Sequence, residues 1–185
     1  MKEFRLRLNP KKCAFGVQGG KFLGYMVSRR GIEINPEKTQ AIINMEPPRN
    51  VKEVQRLTGR LTALNRFLSR SAERALPFFQ IMRKANSFKW TTECQEAFDE
   101  LKRYLSSPPV LSKPRAGETL FLYLGVSTSA VSSVLIREDE GVQKAIFYIS
   151  KTLREAELRY SPIEKTVLAI VHTVKKLGHY FQAHT

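Results

Sequence analysis

The 185 residues carry 31 Lys and Arg against 17 Asp and Glu, a formal net charge of +14, with 42% hydrophobic and 26% charged residues. That length and balance suit one large globular domain or two small ones, and no apolar run approaches the roughly 20 residues a membrane span requires. Met1 to Leu8 is basic but lacks the apolar stretch of a signal peptide, and the two cysteines, Cys13 and Cys94, sit in no CxxC pair. They are expected to be small buried hydrophobes rather than a disulfide or metal site, in a reducing, intracellular setting.

The charge is unevenly placed. Residues 1–89 hold 19 Lys and Arg against 6 Asp and Glu, a net +13, whereas residues 90–185 hold 12 against 11, a net +1. A cationic field concentrated in one half attracts a polyanion, with salt-dependent binding through released counterions. A basic surface kept for solubility is the plainer alternative.

In chain order, Lys21–Ile34 reads as a β-hairpin, with a strand-like run through Phe22–Val27 and a turn at Arg29-Arg30-Gly31. Asn35-Pro36-Glu37 opens a short helix that Glu46-Pro47-Pro48 stops. A longer helix is expected from Asn50 to about Ser69, with Asn50 and Glu53 as a capping box and an apolar stripe at Val51, Val54, Leu57, Leu61, Leu64 and Leu68. Lys52, Arg56, Arg60, Arg66 and Arg70 surround that stripe. Another helix should span roughly Glu73 to Lys84. Thr92 with Gln95 signals the cap of a helix over Glu93–Leu105, expected to open a second domain and to end at Ser106-Ser107-Pro108-Pro109.

The period then changes. Thr119–Gly125, Ala130–Arg137 and Gln143–Ser150 read as three strands of an antiparallel meander, the last two joined by a turn at Glu138-Asp139-Glu140-Gly141. Ser161-Pro162-Ile163-Glu164 caps a final helix with apolar positions at Val167, Leu168, Ile170, Val171, Val174 and Leu177. His172, His179 and His184 lie in or after it, with no Cys or acid to complete a ligand set, and read as ordinary helix residues.

These segments, in this order, resemble reverse transcriptase of gypsy-like long-terminal-repeat retrotransposons. LNPKKCAFG, KFLGYMVSRRGIEINPEKTQAI, PPRNVKEVQRLTGRLTALNRFL and FKWTTECQEAFDELKRYL look like the end of the palm, the thumb and the entry to the next domain. LFLYLGVSTSAVSSVLIRE and KAIFYISKTLREAELRYSPIEKTVLAIV look like the ribonuclease-H-like domain, in its plant-element form. The implied fold class is mixed α/β (α+β): a β-hairpin and helical thumb, then a truncated ribonuclease-H-like domain of three antiparallel strands and a helix. The implied domains are residues 1–35 (palm end), 36–85 (thumb), 86–118 (connecting helix and linker) and 119–185 (truncated ribonuclease-H-like domain).

The resemblance also sets expectations for chemistry. The family's polymerase holds two Mg²⁺ ions on palm aspartates, two of them adjacent, yet the aspartates here are Asp99 and Asp139 alone. Glu138-Asp139-Glu140 is the densest acidic cluster and reads as solvated turn. Where active relatives carry Thr-Asp-Ala-Ser, this chain reads Leu124-Gly125-Val126-Ser127, so Gly125 replaces the first ribonuclease H carboxylate. Glu164 matches the second carboxylate position, but with Ser161 it also forms a capping box that needs no metal. No cofactor is expected for this chain, although the intact family uses Mg²⁺. Its expected partners are an RNA–DNA hybrid or DNA duplex and the remainder of a polyprotein, not a membrane.

What the resemblance leaves is binding. Phe22, Leu23, Gly24 and Tyr25 match the primer grip, and the alternative is a plain hairpin packed on the thumb. Gln55, Arg56, Gly59 and Arg60 are similar to the retroviral thumb helix that tracks the minor groove, with Arg66 further along. Gln55, Gly59 and Ala63 share one helix face. Retroviral relatives carry Trp where Ala63 stands. Glycine inside a helix costs up to about 1 kcal/mol against alanine, so Gly59 should serve either close approach of a duplex or close helix packing. Two other readings stay open: a structural tether between thumb and downstream domains, and a decayed retroelement relic whose missing fourth strand leaves a sheet edge exposed.

Overall fold

The run expected to form a single hairpin folds as three strands, because a tight turn interrupts it. In the computed structural model, which describes residue 7, residues 9–83 and residues 88–184, β1 (Gly19–Phe22), β2 (Tyr25–Ser28) and β3 (Gly31–Ile34) form an antiparallel meander. Phe22 pairs with Tyr25, leaving Leu23 and Gly24 as the turn, at φ 47° and 81°. Positive φ at both positions belongs to a type I′ turn, whose twist matches the strands it joins. Glycine adopts it freely; Leu23 does so at a cost of about 1 kcal/mol. Arg29 and Arg30 make the second turn, as expected.

The next helices begin where the sequence indicates and end sooner. Asn35 caps α1 (Pro36–Ile43), its Oδ1 accepting from the Glu37 amide at 3.1 Å. Asn50 caps α2 (Val51–Ala63), its Oδ1 accepting from the Glu53 amide at 3.0 Å. The Glu53 carboxylate reaches past the cap to the Arg49 amide, at 2.7 Å, so the box is displaced by one residue. Helix α2 stops at Ala63, not near Ser69. A 3-10 turn over Asn65–Phe67 and a left-handed Arg70 (φ 53°) swing the chain back, and a side-chain hydrogen bond from Ser71 to Asn65 closes the loop.

The single helix expected over Glu73–Lys84 is two, α3 (Ser71–Arg74) and α4 (Leu76–Arg83). Pro77, which cannot donate to the preceding turn, accounts for the break; Lys84 lies outside the described residues. In α5 (Thr92–Ser106) the cap is Thr91 rather than Thr92, its Oγ1 accepting from the Cys94 amide at 3.3 Å. Gln95 instead accepts from the Trp90 indole at 2.9 Å.

One core joins these elements. Ile42, Leu57, Leu61, Phe78, Phe98 and Leu101 belong to it, and so does buried Cys94. Helix α5, expected to open a second domain, therefore buries its apolar face in the same core as α1, α2 and α4.

The second meander, β4 (Phe121–Val126), β5 (Ala130–Asp139) and β6 (Val142–Thr152), is antiparallel in the order β4-β5-β6. Its strands run on to Asp139 and from Val142, so only Glu140 and Gly141, at φ 53° and 77°, remain as the turn. After a short α6 (Glu155–Leu158), α7 (Pro162–Ala183) lies across β4 and β5. The two antiparallel three-stranded sheets, with seven helices among the described residues, are the mixed α/β class the sequence implies.

The apolar stripe of α7 corrects an expectation. Leu177 is buried, but Val167, Ile170, Val171 and Val174 are between 41% and 54% exposed. The residues against the sheet are Lys165, Ala169, Thr173 and Leu177, and Ser133 of β5 shares a buried hydrogen bond of 2.7 Å with Thr173. The stripe covers more of the helix circumference than one sheet can meet, and small residues take the side where backbones approach.

The sheet edges differ. On β6, Ser150 Oγ accepts from the Ala72 amide at 3.1 Å and the Ala145 carbonyl from the Ser112 amide at 2.7 Å, so α3 and the linker before β4 cover this edge. Beside β4 no strand pairs among the described residues. The linker joins the sheets directly: Ile32 and Leu111 exchange both backbone hydrogen bonds, at 2.8 and 2.9 Å, and the next residue bonds β6. Gly31 makes this approach feasible, since a Cβ there would lie 2.0 Å from the Leu111 oxygen.

Candidate nucleic-acid interface

Two surfaces of the first half carry the residues the sequence singles out. At the β1–β2 turn, Phe22 is 64% and Leu23 is 80% exposed. Two large apolar side chains at a turn tip gain nothing from their own fold. Tyr25, by contrast, turns inward: its ring is 5.5 Å from that of Phe67, and the Lys38 ammonium lies 5.3 Å from its centroid. The residues of this turn therefore divide into an outward pair, Phe22 and Leu23, and an inward anchor, Tyr25.

On α2 the expected cationic stripe also divides. Lys52, Gln55, Arg56, Gly59, Thr62 and Ala63 form one exposed face, as helical spacing requires. Nothing lies within 4 Å of a Cβ built on Gly59, so the close helix packing offered as one explanation of that glycine does not occur. Arg60 instead donates to the Ala41 carbonyl and ties α2 to α1. Arg70 pairs with Glu73. Arg66, beyond the helix end, lies 4.6 Å from the Phe147 ring centroid and 5.6 Å from that of Tyr25, with its Nε buried and unpartnered. Lys52 and Arg56 are the two charges left to the open face, without a carboxylate partner among the described residues.

The ribonuclease-H-like positions are built differently. Gly125 pairs with Ser132, and a Cβ on it would meet Ser132 Oγ at 2.7 Å. Glu164 is exposed and engaged in the helix cap: its carboxylate accepts from the Ser161 amide at 2.7 Å, and Ser161 Oγ accepts from the Glu164 amide at 3.4 Å. The Ser161 amide holds the Glu164 carboxyl below its ordinary range. No group of three or more His, Cys, Asp or Glu suited to a metal occurs among the described residues. A glycine and one capped carboxylate do not fit a divalent cation. The histidines are accounted for by packing. Burial lowers the pKa of His172, the His179 ring meets Tyr180, and His184 Nδ1 is 3.3 Å from the Glu118 carbonyl.

Sequence reasoning overlooked a third surface. Between the β2–β3 turn and the second sheet lies an open cleft of about 1370 Å³, whose lining includes Arg29, Arg30, Lys113, Arg115 and Lys144. Three of those cations come from the half whose net charge is close to zero. The sum hid them because most of the acids that balance it lie outside the cleft, Asp139 being the one in its lining.

An exposed, lightly charged helix face and an apolar turn tip stand on a mixed α/β fold in which no metal-binding donor set occurs among the described residues. Residues 90–185 match the model of the RNase H-like domain found in reverse transcriptase, and the chain belongs to that family. Over 184 residues it is 29% identical to the transposon Tf2-3 and Tf2-4 polyproteins of Schizosaccharomyces pombe, covering 99% of this chain and 14% of each relative. The chain thus spans about one seventh of the polyproteins it resembles. Among solved structures, it is similar to the foamy viral protease-reverse transcriptase in complex with an RNA/DNA hybrid, with TM-score 0.76, 25% identity, and coverage of 90% of this chain and 23% of that one. The same viral enzyme in complex with dsDNA has TM-score 0.73 and 24% identity, covering 86% and 34% of the two chains, and supports the fold alone. No helix among the described residues is long and apolar enough to cross a membrane.

Proposed function

We propose that this chain is the palm end, thumb and ribonuclease-H-like portion of a gypsy-like, plant-type retrotransposon reverse transcriptase, and that it binds template–primer without performing chemistry. Palm end, thumb, connecting segment and ribonuclease-H-like domain fall at 1–35, 36–85, 86–118 and 119–185. The observation that carries the reading is the open face of α2. Gly59 interrupts a helix at a cost of up to about 1 kcal/mol against alanine, and nothing among the described residues uses the space it leaves. A partner from outside that needs close backbone approach explains it, and Lys52 and Arg56, on the same face in the turns before the gap, suit phosphates. Phe22 and Leu23 would meet the primer end from the turn, with Tyr25 holding the turn in place. The likeness to a viral enzyme solved with an RNA/DNA hybrid supports the same partner.

Titration of a labelled RNA–DNA hybrid at two salt concentrations tests this. Two phosphate contacts predict that affinity falls roughly tenfold between 50 and 200 mM salt. Affinity that ignores salt, or no better than that of a neutral protein, overturns the reading.

One observation favours a second role alongside binding. The linker's hydrogen bonds to both sheets, with Arg66 between Tyr25 and Phe147, make the second half a rigid tether for whatever polyprotein segments adjoin it.

A further inference from the structure

The cleft between the β2–β3 turn and the second sheet lies apart from the open face of α2 and has its own chemistry. Asp139, an acid in its lining, collects three cations: Arg115 at 2.9 Å, Arg137 at 3.5 Å and Lys144 at 2.7 Å. Glu118 takes Arg137 as well, through Nε at 2.9 Å and Nη2 at 2.9 Å. Two carboxylates therefore serve three cations, while Arg29 and Lys113 on the same walls have no carboxylate partner among the described residues. Exposed Arg30 pairs, among the described residues, with half-buried Glu33 at 3.1 Å. Like charges crowded at a concave surface raise one another's energy, and an anion entering between them relieves it.

The walls are fixed rather than adaptable. The turn bearing Arg29 and Arg30 is pinned by the Ile32–Leu111 exchange, and the strand bearing Lys144 by the bond from Ser112 to Ala145. Tyr148 and His184 add rings to the lining. Cations along walls with aromatic groups between them are the recurring pattern of single-strand binding, where phosphates track the charge and bases stack. The volume of about 1370 Å³ exceeds the roughly 300–1,000 Å³ of small-molecule sites. A duplex, whose major groove alone is about 12 Å wide, would meet such a cleft only at its rim.

We propose that this cleft binds an unpaired RNA or DNA strand, separately from the duplex assigned to α2. The proposal goes beyond that reading and does not need it. Arg29 and Lys113 are exposed and make no ion pair among the described residues, so R29E/K113E can be made in the full chain without removing a structural contact, and a melting curve checks it. The probes are labelled oligodeoxythymidylate, labelled oligouridylate and a blunt RNA–DNA hybrid, read by fluorescence anisotropy, with K52E/R56E as the counterpart variant. R29E/K113E should weaken binding of both single strands about tenfold or more and leave the hybrid nearly unchanged, while K52E/R56E does the reverse. Weakening of only one single strand would assign the cleft to that sugar and still support it. Single-strand binding equal to that of the parent, or equal loss on all three probes, overturns the proposal. So does equally effective competition by polyglutamate, which would assign the cleft to an acidic polypeptide. Unmeasurable hybrid binding with single-strand binding intact would sink the α2 reading and leave this one standing.

Discussion

The Arg66 guanidinium lies 4.6 Å from the centroid of the Phe147 ring, joining the turn after α2 to the middle of β6. A cation over aromatic faces contributes about 0.5–2 kcal/mol, more as it loses water. Arg66→Ala should therefore lower stability by about 1–2 kcal/mol in urea unfolding. Arg56→Ala, on the open face, should stay within about 0.5 kcal/mol while reducing the salt slope of hybrid binding by about one. The opposite pattern would exchange the roles of the two arginines.

Gly59→Ala should separate folding from binding. The helix gains up to about 1 kcal/mol, and the added methyl meets nothing within 4 Å. If a duplex lies against this face, the same methyl obstructs it. A higher melting temperature with weaker hybrid affinity is expected, and a variant that gains stability at full affinity would show that the glycine serves no ligand.

Acid should weaken the Glu118–Arg137 pair. The bidentate bond from Arg137, whose side chain is 7% exposed, holds the Glu118 carboxyl below its ordinary range. A lowered folded-state pKa contributes stability that is present above the unfolded value, about 4.3 for Glu, and is lost as pH falls through the folded value. Melting temperatures of the parent and E118Q should thus differ at neutral pH and converge as pH falls below the ordinary carboxylate range. A constant gap across that range would mean the carboxylate's charge does not matter. Glu37, Asp139 and Glu157 shift in the same direction, so the comparison with E118Q, not the parent curve, isolates Glu118.

The two sides of α7 should respond unequally to truncation. Leu177, buried against Leu135 and Ile146, should cost about 2–5 kcal/mol as Leu177→Ala. Val171→Ser, on the exposed side, should cost under about 0.5 kcal/mol. Chemical denaturation distinguishes them. A large loss at Val171 would mean that another surface covers this ridge in solution.

Gly125→Asp should not create a nuclease. The new Cβ crowds only Ser132 Oγ, the end of a side chain that can rotate, so folding should survive. One added carboxylate beside a capped Glu164 still falls short of a two-metal site. Magnesium-dependent cleavage of hybrid RNA by this variant would overturn the assignment of the chain to binding alone.

Much of the fold was legible because local chemistry decided it. Asn35, Asn50 and Ser161 cap the helices their side chains announce, and the alternation in 119–150 gives the second meander. The errors came from contacts distant in sequence. The turn that stops α2 at Ala63 is closed locally by Ser71 and Asn65, but its cover comes from Phe147 and Ser150 of β6, far along the chain. Apolar spacing in α7 could not reveal that Ala169 and Thr173, rather than Val167 and Val171, meet the sheet. At the candidate interface, Gly59 was readable as an anomaly, whereas the inward roles of Arg60 and Arg66 depend on Ala41 and Phe147. The cleft was invisible because its cations come from four segments.

The Ile32–Leu111 and Ser112–Ala145 bonds sit one residue apart on the linker, so the two sheets are riveted there as plates are at one corner, with Arg66 between Tyr25 and Phe147 as a second fastening. A sideways push on the Arg29–Arg30 turn would reach β6 through the linker backbone, bypassing every helix. Motion of one half against the other would then have to break both fastenings together, with the missing side chain of Gly31 setting how tightly the plates can close.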